Sequence, residues 1–183
     1  MVSGTAGRSL RGQRERGVAA IEFALVAPLL VFVLFAIIEA GFGFYSQQAT
    51  TIAISDAART GSIARDDPTA DRQVLEVLAD RVDGVRGTEV VRIVVFEATS
   101  PGDEPPAACV SGAGAVGCNV YEGSVLDNPA VAVCSGWCPS ERRTGDLLGV
   151  WLRADFDGLS GMTPMTLRIE DSAIVAIEPE IVE

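Results

Sequence analysis

Hydrophobic and polar positions divide the chain into one long apolar run, a helical stretch behind it and a β-rich remainder. From Gly17 to Tyr45 the sequence reads GVAAIEFALVAPLLVFVLFAIIEAGFGFY, with no charge between Glu22 and Glu39. That exceeds the roughly 20 residues needed to cross a bilayer core. A helix apolar on every side needs lipid, or a much larger protein, around it. A secretory signal shares the basic-then-apolar layout, but this run is longer than a signal's and no A-x-A-like site follows. The pattern predicts a retained transmembrane helix over 18–45. Pro28 removes one backbone donor and crowds the carbonyl of Ala24, so a kink or local break is expected there.

The next stretch, QQATTIAISDAARTGSIA, has no proline and predicts that the helix continues as a stalk over 46–65. Ile52, Ala53, Ala57 and Gly61 recur at helical spacing, a small-residue stripe that lets its own domain or another subunit approach closely. Asp66-Asp67-Pro68 reads as a stop and restart, with Asp67 as N-cap and Pro68 at the first helical position. Val74, Leu75, Leu78 and Val82 then predict a short amphipathic helix up to Gly84.

Beyond it the residues turn β-branched and aromatic. GTEVVRIVVFEA at 87–98, DLLGVWLRADF at 146–156 and TLRIEDSAIVAIE at 166–178 read as three strands. The expected fold is α+β: a long N-terminal transmembrane and stalk helix, a second short helix, and an antiparallel sheet of about three strands. Residues 101–146 are too long for an ordinary connection. They hold all four cysteines: Cys109, Cys118, Cys134 and Cys138.

Outside the cytoplasm thiols pair, so two disulfides stapling this loop are expected. Three connectivities are open, and local pairing of Cys109 with Cys118 and Cys134 with Cys138 is the simplest. Zinc is the rival, but the gap between Cys109 and Cys118 is wide for paired ligands and the chain has no histidine. A thioredoxin-like motif fails, because three residues separate Cys134 from Cys138.

Charge sets the direction across the membrane. Arg8, Arg11, Arg14 and Arg16 against Glu15 leave residues 1–16 at +3, while residues 46–183 carry ten arginines and 22 acids, a net of −12. The positive-inside rule keeps the N-terminus cytoplasmic and the C-terminal domain outside. A strongly acidic domain does not bind phosphate backbones, which excludes nucleic acid as a partner.

All 14 basic residues are arginine, so neither histidine nor lysine is present. A histidine-based triad and a lysine-bearing phosphate loop are both excluded. Asp155 and Asp157 before Gly158 resemble half of a calcium loop, but position 166, where a closing Glu belongs, is Thr. A carboxylate hydrolase would need two opposed acids in a cleft. The expectation is a protein without catalysis, metal or cofactor. Glu170-Asp171 reads as a bulge or a protected edge; Trp151 is expected in the core, and Trp137 over its disulfide.

A carboxylate inside an apolar segment is costly and is usually paired or functional. Around Glu22, the run Arg16-Gly17-Val18-Ala19-Ala20-Ile21-Glu22-Phe23 resembles the processing site of type IV pilin-like proteins, which a prepilin peptidase cuts after the glycine. Cutting between Gly17 and Val18 would make Glu22 the fifth residue of the product. The resemblance implies that Glu22 faces a neighbouring subunit's new amine, each charge offsetting desolvation of the other. Over residues 16–64 the chain resembles more narrowly the TadE-like family of Tad pilus systems. The marks are Gly17, Glu22-Phe23, Ala24-Leu25-Val26-Ala27-Pro28, Glu39, and Asp56-Ala57-Ala58-Arg59-Thr60-Gly61. It departs at Ser62-Ile63-Ala64, where a second basic residue is expected.

The resemblance implies a pseudopilin-like or minor-pilin-like structural protein in pilus assembly. Its expected partners are membrane lipid, other Tad or pilin-like subunits through Glu22, Phe23, Pro28 and Glu39, and the prepilin peptidase. The expected map is a cytoplasmic basic leader over 1–17, the membrane helix over 18–45, the stalk over 46–65 and an extracytoplasmic domain over 66–183. The rival function is a signal-anchored extracytoplasmic binding module, neither processed nor assembled, whose acidic, Cys-stapled loop captures a ligand or cation; separately, the depth of Glu39 also fits a simple place among the outer headgroups.

Overall fold

The computed structural model describes residues 9–158 and 166–179, with side chains from residue 18 onward. Residues 1–8 of the basic leader, and residues 159–165 inside the half-calcium-loop region, lie outside the described residues. The chain forms two compact units, Met1–Gly41 and Phe42–Glu183.

Helix α1 runs over Ser9–Ala64 and passes through Pro28 without interruption, so the local break expected there is absent. Proline removes only one rung of the ladder, and the long helical runs on either side carry the helix across it. In the first unit the large apolar side chains from Val18 to Ile38 are all exposed. The helix is long and apolar enough to cross a membrane.

The second unit begins with the last turns of α1. Ala53, Ile54, Ala57 and Ala58 are buried there, whereas Ile52 is exposed. The buried stripe therefore turns away from Ile52 and takes in Ile54 instead. A Cβ on Gly61 would lie 2.8 Å from Val74 and 3.2 Å from Leu148, so glycine is what lets α1 close on the next helix and the sheet. Arg65, with φ 52, ends α1 in the left-handed conformation, its N–H bonded to the Gly61 carbonyl at 3.0 Å.

Helix α2 spans Ala70–Val82, and its N-cap is Thr69. Asp67 lies two residues before the cap: its Oδ1 accepts from the Thr69 amide and hydroxyl, both at 2.6 Å, shaping the turn that leads into the helix. Those two bonds hold the Asp67 carboxyl below its usual pKa, the hydroxyl bond contributing most. Val74, Leu75, Leu78 and Val82 form the buried face of α2.

Four strands follow: β1 Thr88–Ala98, β2 Cys118–Glu122, β3 Leu147–Asp157 and β4 Thr166–Ala176, with the short helix α3 Ala107–Ser111 between the first two. They form one antiparallel sheet in the order β2-β1-β3-β4. The expected sheet of about three strands gains β2 from inside the 101–146 loop. Val91 is skipped in the β1–β3 register, a bulge on β1.

Both faces of the sheet are covered. Ile93 and Val95 of β1 and Leu148, Val150, Leu152 and Ala154 of β3 pack against α1 and α2. On the opposite face Val94, Phe96, Ala98 and Trp151 pack with Cys109 and Cys118. Phe96 lies across Gly149: a Cβ there would be 2.3 Å from its ring. The disulfides join Cys109 to Cys118 and Cys134 to Cys138. Trp137 lies in the core beneath the helices, and Trp151 is the tryptophan that shares a cluster with a disulfide, Cys109–Cys118.

Candidate functional site

The N-terminal candidates all fall on α1. Gly17 lies within its helical backbone, and Val18, Glu22 and Phe23 follow with exposed side chains. Glu22 has no hydrogen-bond or ion-pair partner among the described residues, and its neighbours Ile21, Phe23, Leu25 and Val26 are exposed apolar groups. Glu39 lies 17 residues on and is half-buried, about 25 Å along the axis at 1.5 Å per residue. This surface can engage lipid or other helices. It holds no nucleophile–base pair.

A second cluster was not legible in the sequence. Asp71 on α2 accepts from Arg142 Nη2, from Asn119 Nδ2 at 2.6 Å and from the Tyr121 hydroxyl at 2.7 Å. Asn119 Oδ1 accepts the backbone N–H groups of Ser135, Gly136 and Trp137 at 3.2, 2.8 and 3.0 Å. The Arg142 guanidinium lies over the Trp137 ring, 4.7 Å from its centroid. Burial, the Asp71 charge and the bond Tyr121 gives to Asp71 push the Tyr121 phenol far above its usual pKa. These contacts bind the Cys134–Cys138 loop to α2 and β2, with both Asp71 oxygens engaged and the carboxylate buried. The cluster is a structural lock.

All four cysteines are in disulfides, which removes them as metal ligands. Among the described residues no group of three or more His, Cys, Asp or Glu side chains is placed to hold a metal. Asp157 accepts from the Thr166 hydroxyl at 2.8 Å, and Asp155 lies 3.8 Å from Arg168, so these acids tie β3 to β4. Glu170 pairs with Arg153 at 2.8 Å, and Asp171 accepts from Thr51 of α1 at 2.5 Å. Both lie on the edge strand β4, with no bulge in its pairing to β3.

The long apolar helix with its glutamate near the start and the small-residue turns behind it occupy one continuous segment. Residues 17–59 match the family of TadE-like proteins. The match runs from Gly17 through Arg59 and takes in Glu22, Pro28 and Glu39. The match covers 43 of the 183 residues, and it is a likeness of that segment. The α1 helix of the TadE-like segment fits a single-pass membrane anchor. No curated protein and no solved structure matches the chain.

Proposed function

We propose that this protein is a pseudopilin-like or minor-pilin-like subunit of a Tad-type pilus. It is cut between Gly17 and Val18, held in the cytoplasmic membrane by α1 with its N-terminus inside, and displays its α+β domain outside. Its map is the leader 1–17, the membrane helix 18–45, the stalk 46–65 and the outer domain 66–183. It works by packing α1 against similar helices, with Phe23, Pro28 and Glu39 on the packing surface.

The observation that carries this reading is Glu22. It is an exposed carboxylate on an apolar helix, five residues after Gly17, with no partner among the described residues. A lone carboxylate in lipid is costly, by about 2.5–3.5 kcal/mol for Asp at a helix centre and less at a shallow position. A neighbouring subunit's α-amine supplies the missing cation. An ordinary anchor has no use for that spacing.

Glu22→Ala tests it. The variant keeps the apolar span, so it is expected in the membrane fraction at normal level while appendage assembly falls. Normal assembly by Glu22→Ala would remove the assembly role, and loss from the membrane would make Glu22 an insertion determinant instead.

A further inference from the structure

Within the second unit, helix α1 and the edge strand β4 run side by side. A Cβ on Gly43 would lie 3.5 Å from Leu167 and 3.8 Å from Phe156. Further along, the Thr51 hydroxyl donates to Asp171 at 2.5 Å, and the Ser62 hydroxyl donates to the Ala176 carbonyl at 2.6 Å. From Gly43 to Ser62 a helix rises about 28 Å at ~1.5 Å per residue, and from Leu167 to Ala176 a strand spans about 30 Å at ~3.3 Å per residue. Height along the sheet therefore reads against residue number in α1. The start of β1 and the end of β3 belong to the same level as Gly43, because Ser46 bonds to Thr88 and Thr88 pairs with Phe156.

The apolar run of α1 ends only at Tyr45. This end of the sheet is thus level with the last turn of that run. Gly43 is buried there, whereas Phe44 is 68% exposed, Tyr45 59% and Leu167 47%. Leu167 is open because β4 is the last strand of the sheet. Aromatic side chains at the end of a spanning helix belong at the headgroup level of a bilayer, which makes this surface continuous with the span. Nearby charges nearly cancel: Arg86 and Arg168 against Glu89, Asp155 and Asp157 leave −1. That balance offers anionic headgroups no attraction, so the apolar groups decide what covers this end.

We propose that the folded second unit rests on the outer leaflet through this end of the sheet, with Leu167 entering the headgroup layer beside Phe44 and Tyr45. The contact is apolar and needs no anionic lipid. It rests on the reading of α1 as a membrane span and extends the lipid contact from the helix to the folded domain.

The test uses the full chain, methyl-labelled at leucine and valine, in nanodiscs of phosphatidylcholine that carry a nitroxide on an acyl chain near its ester. Leu34, inside the apolar run, reports the anchor. Val116, 95% exposed and two residues from Cys118, which pairs with Phe96 far from Thr88, reports the opposite end of the sheet. The nitroxide is expected to broaden Leu34 and Leu167 together. Broadening falls steeply with distance, and the strands separate the two ends by about 30 Å, so Leu167 should be broadened at least about tenfold more than Val116. Adding phosphatidylglycerol should leave that ratio unchanged. Broadening of Leu34 with Leu167 no more affected than Val116 would overturn the proposal and leave the anchor standing. Broadening of Leu167 that needs phosphatidylglycerol would overturn the apolar contact, and an unaffected Leu34 would remove the anchor and this contact with it.

Discussion

Asp71 on α2 and Arg142, 71 residues later in the Cys134–Cys138 loop region, form an ion pair buried on both sides. Tyr121 and Asn119 of β2 donate to the same carboxylate, so one acid joins a helix, an edge strand and a disulfide loop. Removing one member of such a pair leaves the other charged and buried. Arg142→Ala is expected to destabilise the second unit by about 3–5 kcal/mol, and Asp71→Ala by a similar amount. Denaturant unfolding of the oxidised protein measures this, and a loss below about 1 kcal/mol would mean the pair is no more than a surface bridge.

Tyr121 gives the cluster a pH signature. Its folded pKa is raised, chiefly by burial and then by the Asp71 charge. A group with a raised folded pKa contributes stability that is complete below its unfolded value near 10 and is lost as the pH rises above it. Stability should therefore fall above about pH 10 by up to about 1.4 kcal/mol per pH unit. Tyr121→Phe should flatten that slope while costing stability at neutral pH. An unchanged slope in the variant would assign the alkaline loss to other groups.

Gly149 and Phe96 make a packing test on the opposite sheet face. A methyl at Gly149 would lie 2.3 Å from the Phe96 ring, which the covering loop holds in place. Gly149→Ala is expected to cost about 1–3 kcal/mol by overpacking. Gly149→Ala combined with Phe96→Leu should recover part of that loss. An additive double variant would show that the two positions do not compete for space.

Much of this architecture is written in hydrophobic spacing. The uncharged run between Glu22 and Glu39 marks the apolar part of α1, Val74-Leu75-Leu78-Val82 marks α2, and the β-branched runs mark β1, β3 and β4. β2 escapes because two of its buried residues, Asn119 and Tyr121, are polar and satisfied only by partners far away in sequence. The buried lock is hidden for the same reason: Asp71, Asn119, Tyr121 and Arg142 are each unremarkable until the fold removes water from them. Ile52 shows the limit of periodicity, because a stripe of small residues leaves the buried arc ambiguous by one position. The two tryptophans show another, since spacing does not reveal which disulfide either one approaches.

The absence of lysine makes the proposed contact between Glu22 and a neighbouring α-amine chemically addressable. The α-amino group is the only aliphatic primary amine in the chain. A carbodiimide applied to assembled appendages should therefore form an intersubunit amide between that amine and Glu22. Glu22→Gln should abolish the product. Cross-linking that persists in the variant would place the amine against another acid.

The most direct measurement is the N-terminal sequence and intact mass of the protein recovered from its native membrane, with and without prepilin peptidase. A processed pilin-like subunit begins at Val18, and that end disappears when the peptidase is absent. A protein that begins at Met1 under both conditions would be a static anchor, contradicting processing at Gly17 and the pairing of Glu22 with a newly made amine.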